Sequence, residues 1–574
     1  MRYHALATDY DGTLAHDGTV DPDTLDALRL LRASGRKIVL VTGRELPELL
    51  SVFHHIDLFD RVVAENGAVL YRPATREQRL LAPKPPPELG KELRRRGVSR
   101  ISEGEVVIAT WRPHEIKVFE VLRDLEIESQ IIFNKDAVMV LPSGVNKASG
   151  LWAALAEIGL SPHNVVGVGD AENDQSFLRL CECAVAVANA LPSVKQSSDL
   201  VTSGQRGHGV TELIHELVND DLAAVENLLQ RHEIRLGVTS TNTVVGLNPH
   251  GSRVLVSGDS GSGKSTLTTG LLERMGDAGY QYCLLDPEGE YRHLPDAVVL
   301  GSSQRMPSVG EIMELLERPS QNAVVNLLGA AVEHRPAHFD SLLPSLIERR
   351  TRSGRPHWVV LDEAQYVLPS SWAPILHTAP QELQGLMLIS AYPERIDARV
   401  LKSVKLVLVT GHNAEQILHR ICRTMGDPLP LVPALPEKLR SCHNLCLAWW
   451  RSSGGDPMWL RAISPRGEHH RHLRKYVEGE LRPDICFYFR GPEGKLNLRA
   501  QNLAMFLHLT DGVDEATWRY HLRRHDYSRW FREAIRDPSL AGEAERVESD
   551  RGIPSYLARQ LIREMIQQRY TGTT

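Results

Sequence analysis

The chain has 574 residues, which is too long for one hydrophobic core and predicts about three or four domains. Hydrophobic residues make up 42% and charged residues 24%, as in globular proteins, and the formal charge is −6. That charge excludes a surface that is basic throughout, although a local basic channel for DNA stays compatible with it. The N-terminus lacks an apolar signal core and no run of about 18 apolar residues occurs. We therefore expect a cytoplasmic protein with no membrane partner.

The seven cysteines are odd in number and scattered along the chain, so they do not form a disulfide framework. Two short segments, Cys181 to Cys183 and Cys442 to Cys446, resemble halves of zinc sites, but each lacks a second ligand pair at the usual spacing. The cysteines are therefore predicted to be buried free thiols.

The chain begins with a short apolar segment, residues 3–8, which is predicted to be a strand and leads into Asp9-Tyr10-Asp11-Gly12-Thr13. Ligands of open α/β sheets bind at the carboxyl ends of the strands. Gly12 permits a turn that lets Asp9 and Asp11 face one site. Taken alone, the segment is equally well explained as an ordinary Asp/Gly turn.

Three later segments favour a site over a simple turn. Residues 37–41 form a predicted strand that ends in Thr42-Gly43-Arg44, whose hydroxyl and backbone donors suit a phosphate. Lys147 adds a positive charge, and a third predicted strand ends in a carboxylate cluster with Asp170 and Asp174, which suits Mg²⁺. Together these groups predict phosphoryl transfer.

Residues 1 to about 215 resemble haloacid dehalogenase superfamily phosphatases of the Cof-like, type IIB group. The four motifs of that group match DYDGT, VTGR, the lysine of GVNK, and GDAEND. The resemblance implies that Asp9 attacks phosphorus and that Asp11 acts as the acid and then the base. It also implies that Thr42 and Lys147 bind the phosphoryl oxygens.

The same resemblance implies a Mg²⁺ site. Its ligands would be the carboxylates of Asp9, Asp170 and Asp174 and the main-chain carbonyl of Asp11, with Asn173 orienting them. Because carboxylates repel a phosphate, Mg²⁺ is part of the prediction.

The resemblance divides this half of the chain into a Rossmann-like core, residues 1–70 and 143–215, and a small α+β cap, residues 71–142. The cap would select a phosphorylated small molecule or a nucleotide as substrate. Helical spacing of apolar residues predicts a linker over residues 216–233.

A second phosphate-binding signature lies near the middle of the chain. The segment Gly258-Asp259-Ser260-Gly261-Ser262-Gly263-Lys264-Ser265 fits G-x-x-x-x-G-K-[ST], follows an apolar strand and precedes a predicted helix. In this pattern the backbone N–H groups surround the β-phosphate, the lysine reaches the β- and γ-phosphates, and the final hydroxyl ligates Mg²⁺. The predicted nucleotide-binding residues are Gly258, Ser260, Gly261, Gly263, Lys264, Ser265 and Thr266, with Ser265 also on the metal.

Acidic residues follow two later predicted strands. Asp286 and Glu288 could face the γ-phosphate, or they could belong to an acidic turn. The strand at residues 357–361 ends in Asp362-Glu363, where Asp362 is expected to orient Mg²⁺ and Glu363 to polarise water. Such a glutamate favours ATP hydrolysis over transfer to an acceptor.

Residues 234–463 resemble the HerA/FtsK branch of P-loop ATPases, with counterparts in GDSGSGKS, LLDPEGEY, VVNLLG and VVLDEAQ. The resemblance implies a RecA-like α/β domain with a mainly parallel sheet, ATP as substrate, and a homo-oligomer such as a hexameric ring. The sequence departs from this branch at one position. The branch usually has a polar sensor residue after the strand that follows the Asp-Glu motif, whereas this chain has Tyr392 there.

Residues 464–574 are expected to form a small, mainly α accessory domain. They include a basic, His-rich run, Glu468 to Lys475, and aromatic residues interleaved with arginines. Helical spacing favours a packed core over base stacking for these aromatics.

The predicted fold class is therefore α/β for residues 1–463, followed by a small, mainly α C-terminal domain. The predicted function is a bifunctional, Mg²⁺-dependent phosphatase fused to an ATPase. Two alternatives stay open: nucleic-acid end processing by a phosphatase/kinase, and a DNA translocase whose phosphatase fold serves as a binding module.

Overall fold

The computed structural model describes residues 1–570 apart from 135, 229–230, 260, 372–383, 441, 443, 452–453, 467–480, 482–484, 536 and 551. Ser260, His443 and the His-rich run therefore lie outside the described residues. The chain divides into two compact units. Unit 1 comprises Met1–His232, Glu317–Ser320 and Glu348–Arg355, and unit 2 comprises Glu233–Leu316, Gln321–Ile347 and Pro356–Thr574.

The elements that precede residue 233 alternate strands and helices around one core. The strands are β1 Ala5–Thr8, β2 Lys37–Val41, β3 Arg61–Ala64, β4 Val69–Arg72, β5 Glu77–Leu80, β6 Ser102–Glu103, β7 Ile108–Trp111, β8 Ser129–Asn134, β9 Ala137–Pro142, β10 Val165–Gly169, β11 Cys183–Ala186 and β12 Leu200–Val201. The helices are α1 Pro22–Ala33, α2 Leu46–Val52, α3 Pro87–Arg95, α4 Glu115–Asp124, α5 Lys147–Ile158, α6 Gln175–Leu180, α7 Pro192–Ser197 and α8 Arg206–Asp220.

Eight of these strands form one sheet in the order β12-β11-β10-β1-β2-β3-β4-β5. The strands from β12 to β3 are parallel, and β4 and β5 add to the edge in antiparallel pairs. The central strands are apolar and buried on both faces, as expected for a parallel sheet covered by helices. Strand β1 lies in the middle, so the residues that follow β1, β2 and β10 share one edge.

The cap is a separate antiparallel sheet in the order β6-β7-β9-β8, covered by α3 and α4. Its boundary differs from the sequence prediction. The predicted start at Tyr71 lies inside β4, which pairs with β3 of the core sheet, and β5 continues that pairing. The hydrogen-bonded hairpin β4–β5 thus belongs to the core, and the cap sheet follows it. Helix α8 likewise extends to Asp220, into the range assigned to the linker.

One buried carboxylate ties the cap to the core. Glu65 lies in the turn after β3 and is fully buried. Its two carboxylate oxygens accept hydrogen bonds from the backbone N–H groups of Glu105, Val106 and Val107, at 2.9, 2.8 and 3.0 Å. Because these amides belong to the cap, Glu65 fixes the cap loop over the core sheet.

From residue 233 onward a second sheet forms. Its strands are β13 Ile234–Val238, β14 Val244–Leu247, β15 Arg253–Gly258, β16 Tyr282–Asp286, β17 Ala297–Leu300, β18 Asn322–Asn326, β19 Trp358–Leu361, β20 Leu386–Ser390, β21 Leu406–Thr410, β22 Leu445–Trp450 and β23 Met458–Ala462. The helices are α9 Lys264–Asp277, α10 Val309–Leu316, α11 Arg335–Ser353, α12 Ala398–Lys402 and α13 Ala414–Met425.

This sheet has the order β14-β13-β23-β22-β21-β15-β20-β19-β16-β18-β17. The strands from β21 to β17 are parallel to their neighbours, and the four at the other edge pair antiparallel. Strand β20 separates β15 from β19. The phosphate-binding loop and the Asp-Glu pair therefore follow strands that are one strand apart.

The C-terminal segment is mainly helical. It contains β24 Phe487–Phe489 and β25 Leu498–Ala500, then α14 Leu503–Gly512, α15 Glu515–Arg523, α16 Asp526–Glu533, α17 Pro538–Ser549 and α18 Ser555–Tyr570. Its core packs rings against each other: the Trp518 and Tyr527 rings stack with centroids 4.3 Å apart, and both side chains are buried. Burial makes these two rings part of the core, as the helical spacing indicates, and removes them from base stacking.

Among the helices of the described residues, none combines the length and hydropathy that a membrane crossing requires. All seven cysteines are free thiols, and six of them are buried, with Cys442 partly exposed.

The Glu65 contacts generate a stability prediction. Glu65→Gln replaces one of the two accepting oxygens by an N–H donor that faces other N–H donors. We expect the free energy of unfolding to fall by about 1–3 kcal/mol. Urea denaturation measures the loss, and hydrogen exchange at Glu105 to Val107 should accelerate. The exposed Glu77→Gln is the matched control, with an expected change below about 0.5 kcal/mol; equal effects of the two variants would contradict the role of Glu65.

Candidate functional site

The predicted phosphatase residues meet at the carboxyl edge of the first sheet. Asp9 follows β1, Thr42 follows β2 and Asp170 follows β10, and β1 pairs directly with both other strands. All three side chains are buried. Short loops on adjacent parallel strands thus bring the nucleophile candidate, the hydroxyl and a carboxylate to one place.

Lys147 completes this group from the first residue of α5. The side chain of Asn146 caps that helix by accepting from the N–H groups of Ala148 and Ser149. The Lys147 ammonium is 1% exposed and donates hydrogen bonds to Asp9 Oδ1 and Asp174 Oδ1, each at 2.5 Å. The helix start therefore delivers a buried positive charge between two carboxylates.

Both carboxylate oxygens of Asp174 accept hydrogen bonds. Its Oδ2 accepts the backbone N–H groups of Asp170 and Ala171, at 2.8 and 2.9 Å, while its Oδ1 accepts Lys147. The ligand atoms of Asp9, Asp170 and Asp174 lie within 4.8 Å of one another. Asp174 thus both belongs to the carboxylate group and orients the lysine.

The charges of this group do not balance. Three carboxylates and one ammonium, all buried, sum to −2 when ionised. Burial and then Asp174 raise the pKa of Asp9 well above its usual range, against the lowering effect of Lys147. Burial opposes the charge of Lys147, but Asp174 and Asp9 raise its pKa overall. The donor set therefore fits a divalent cation that prefers oxygen ligands.

Asp11 faces a different partner. Arg44 donates from Nε and Nη2 to the two Asp11 oxygens, at 2.6 and 2.7 Å, and from Nη1 to Glu48 at 2.6 Å. The hydrogen bond with Asp11 raises the pKa of Arg44. The VTGR motif alone does not indicate this role for Arg44, because the pairing depends on the approach of β2 to the turn after β1.

The cap places two side chains over Gly43. A Cβ atom built on Gly43 would lie 3.3 Å from Met139 Cε and 3.7 Å from the Nδ2 atoms of Asn134 and Asn173. Asn134 Oδ1 is buried and has no hydrogen-bond partner among the residues that the structure describes. Asn173 donates from Nδ2 to Asn66 Oδ1 at 3.0 Å. The end of β8 therefore brings an amide of the cap close to the Thr42-Gly43-Arg44 turn.

Unit 2 contains the second phosphate-binding loop. It connects β15 to α9, and Gly261 and Gly263 have φ angles of 77° and 98°, which favour glycine. Lys264 Nζ donates to the carbonyl oxygens of Gly258 and Asp259, both at 3.0 Å. Ser262 Oγ and Thr410 Oγ1 are 2.7 Å apart, which anchors the loop to the end of β21. Thr266 is in the first turn of α9 and partly buried.

The acids after β16 contact the backbone of their own turn and the loop before α9. Asp286 is fully buried and accepts the backbone N–H groups of Gly289, Glu290 and Tyr291, at 2.8, 3.1 and 2.9 Å. It therefore holds the turn, which is the acidic-turn alternative. The acid that reaches the phosphate-binding loop is Glu290, which accepts the Ser265 hydroxyl at 2.8 Å.

Asp362 and Glu363 lie at the end of β19, close to these acids. Burial raises the pKa of Asp362 well above its usual range, and Glu290, Glu363, Asp286 and Glu288 add to the effect. Burial and then Glu288 also raise the pKa of Glu363, whereas Lys264 lowers it. Glu288, itself largely buried, thus acts on the pair through charge.

Glu363 has a backbone φ of 41°, a conformation that costs a non-glycine residue about 1–3 kcal/mol. Gln365 Nε2 donates to Glu363 Oε2 at 2.6 Å, and Ser390 Oγ donates to Gln365 Oε1 at 2.5 Å. The polar group at the end of β20 is thus Ser390, two residues before the position assigned from the sequence. The Tyr392 side chain is 46% exposed, and Tyr392 contacts this network through its backbone N–H, which donates to Ser390 Oγ at 2.9 Å.

Comparison with known proteins identifies the class of unit 1. Residues 6–93 and 104–214 match the haloacid dehalogenase-like hydrolase family. The phosphoglycolate phosphatase of Methanothermobacter thermautotrophicus is 30% identical over 222 residues, which cover 37% of this chain and 98% of that protein. A phosphoglycolate phosphatase of Haloarcula marismortui is 32% identical over 219 residues, covering 36% of this chain and 95% of that protein.

A solved haloacid dehalogenase-like hydrolase from Bacteroides thetaiotaomicron is 19% identical, with a TM-score of 0.34, and the match covers 38% of this chain and 99% of that one. On the sequence matches, this chain belongs to the haloacid dehalogenase-like hydrolase family through its N-terminal region.

Gly12 supplies a test of the site geometry. Its φ is 89°, and an added Cβ would lie 2.5 Å from Asp170 Oδ2. Gly144 has a similar φ of 81° with nothing within 4 Å of the added atom. We expect both alanine variants to lose about 1–2 kcal/mol of stability from backbone strain. Only Gly12→Ala should also displace Asp170, lowering kcat for a chromogenic phosphate monoester at least tenfold. An equal loss of kcat in Gly144→Ala would show that strain alone is responsible.

Proposed function

We propose that unit 1 is a Mg²⁺-dependent phosphatase that works through an aspartyl phosphate on Asp9. The observation that carries the proposal is the buried Lys147 ammonium, bonded to Asp9 and Asp174 inside a carboxylate group of net charge −2. Asp9, Asp170 and Asp174 would hold Mg²⁺ through their carboxylates, with the Asp11 carbonyl. The ion would supply charge neutralisation for the nucleophile and the phosphoryl group.

The residues divide the reaction into two displacements. Asp9 attacks phosphorus, the bond from phosphorus to the leaving oxygen breaks, and Asp11 gives that oxygen a proton. A water molecule then attacks phosphorus, and Asp11 takes a proton from it. The bond between phosphorus and the Asp9 oxygen breaks, which releases phosphate and restores Asp9. Thr42 and Lys147 hold the phosphoryl oxygens. Both Asp11 oxygens contact Arg44 in this conformation, so proton transfer requires one of those contacts to open.

The substrate we propose is a small phosphate monoester. The similarity to phosphoglycolate phosphatases supports a small phosphate monoester as substrate. The short distance between the cap and the Thr42-Gly43-Arg44 turn supports it as well. Asn134 is well placed to bind the leaving group, because its Nδ2, which can donate to a carboxylate, lies 3.7 Å from a Cβ atom built on Gly43. Met139 would limit the size of that group.

For unit 2 we propose ATP binding and hydrolysis. The loop between β15 and α9, with Lys264 and Ser265, supports phosphate and metal binding. Glu363, with its orientation fixed by Gln365, supports activation of water. When a nucleotide binds, the Ser265 hydroxyl would leave Glu290 and contact a metal ion instead. The sequence resemblance adds a homo-oligomeric ring to this proposal, and DNA is a candidate partner.

Two substitutions separate the activities. We expect Asp9→Asn to lower phosphatase kcat by at least about 10³-fold, because the nucleophile is lost, and to leave ATP turnover unchanged. We expect Lys264→Ala to remove ATP turnover while phosphate monoester hydrolysis remains. Parallel assays of released phosphate and ADP, with and without DNA, measure both. Full phosphatase activity in Asp9→Asn would rule out the proposed nucleophile.

A cap substitution tests the leaving-group contact. Asn134→Ala should reduce kcat/KM for 2-phosphoglycolate about 3- to 10-fold, the effect of one hydrogen bond. Hydrolysis of p-nitrophenyl phosphate, whose leaving group lacks a carboxylate, should change less than twofold. Phe133→Ala, a neighbour on β8 that is 39% exposed, is the matched control. Equal losses on both substrates would place Asn134 outside leaving-group recognition.

A further inference from the structure

Three potential metal ligands, distant in sequence, meet in unit 1 away from the residues described above. His163 lies in a short 3-10 turn before β10, Glu182 immediately precedes β11, and His232 lies near the end of the linker segment, residues 216–233. Each offers one ligand atom, and these atoms all lie within 4.8 Å of one another. His163 and Glu182 are buried, and His232 is partly exposed.

The contacts of these side chains bring two imidazole rings to one carboxylate. His163 Nδ1 lies 2.6 Å from Glu182 Oε2. The His163 and His232 rings are 5.3 Å apart between centroids and nearly perpendicular, at 88°. His232 Nε2 lies 3.2 Å from the carbonyl oxygen of Cys181, at the entrance to the cluster.

The surrounding cations are already balanced. Arg2 donates to Glu182 Oε1 at 3.0 Å, which fixes that carboxylate and leaves Oε2 facing the histidines. Arg231 pairs with Asp199 at 3.0 Å and donates to the Cys181 carbonyl at 2.7 Å. A ligating carboxylate whose second oxygen is hydrogen-bonded is a common arrangement at metal sites. The arginines therefore orient the carboxylate.

We propose that His163, Glu182 and His232 bind a transition-metal ion of the Zn²⁺ class. Two imidazole nitrogens and one carboxylate oxygen suit Zn²⁺ or Co²⁺, whereas Mg²⁺ prefers an all-oxygen set such as that of Asp9, Asp170 and Asp174. The fourth position is left to solvent on the exposed side of His232.

Such an ion would have a structural role. The three ligands belong to the turn before β10, the segment before β11 and the end of the segment Met1–His232 of unit 1. Binding would therefore fasten the end of the linker to the phosphatase core, and the binding free energy would add to the stability of that core. This inference does not depend on the phosphatase or ATPase proposals.

The test uses the full-length, tag-free chain, stripped of metal with EDTA and kept in excess Mg²⁺ so that the oxygen site is filled. Co²⁺ is titrated while its visible absorption is recorded, and Zn²⁺ is then added to displace it. The variants are His232→Ala and Glu182→Gln, with the exposed His54→Ala as the matched control. A fourth variant replaces His469, His470 and His472, which are a competing source of imidazole.

We expect one Co²⁺ per chain with the intense absorption of a four-coordinate site, displaced by Zn²⁺, in the unchanged chain, in His54→Ala and in the His469/His470/His472 variant. In His232→Ala the affinity for Zn²⁺ should fall at least about 100-fold, since even an outer partner of a metal ligand is worth 10–100-fold. Zn²⁺ should also raise Tm in the unchanged chain and not in His232→Ala.

Equal Co²⁺ stoichiometry and affinity in the unchanged chain and His232→Ala would overturn the proposal. So would loss of Co²⁺ absorption in the His469/His470/His472 variant alone. Circular dichroism checks that each variant is folded. If Glu182→Gln is unfolded, His232→Ala decides, because its side chain lies at the partly exposed end of the cluster.

Discussion

The arrangement of unit 1 depends on one buried ion-pair group, in which the Lys147 ammonium lies between Asp9 and Asp174. A buried charge without a partner is costly, so each of these groups requires the others. The start of α5, the loop after β1 and the loop after β10 are thereby held at one point. In the proposed mechanism the remaining excess of negative charge would attract a divalent cation, and the cation would permit an anionic substrate to approach a carboxylate nucleophile.

Unit 2 also contains a group of closely spaced acidic side chains, but their partners differ from those in unit 1. Several acids surround the ends of β16 and β19, and backbone amides neutralise one of them, Asp286. Glu290 accepts a hydrogen bond from the Ser265 hydroxyl, and Lys264 donates to carbonyl oxygens of its own loop. A nucleotide with its metal ion would exchange these internal contacts for phosphate and metal contacts. In both units the residues proposed to bind phosphate are thus held in place by contacts that a ligand could replace.

The sequence predicts the strand ends that carry Asp9, Thr42, Asp170 and Asp362 because apolar strands followed by polar turns are local patterns. Family membership of unit 1 is confirmed by its relatives. The sequence could not predict that Arg44 pairs with Asp11, that Ser390 bonds Gln365, or that β4 and β5 join the core sheet, since those contacts depend on how strands pair. Spacing likewise does not show that Asp286 accepts from the backbone of its turn while Glu290 accepts from Ser265, because both acids lie in that turn.

The most direct test of the aspartyl-phosphate mechanism is a burst experiment with Asp11→Asn and p-nitrophenyl phosphate. That leaving group departs without a proton, so Asp9 should still be phosphorylated, whereas the water of the second step is no longer activated. The mechanism predicts a rapid release of one p-nitrophenolate per chain followed by slow turnover, with phosphate found by mass spectrometry on the peptide that contains Asp9. Steady turnover without a burst, or phosphate on any other residue, would contradict it.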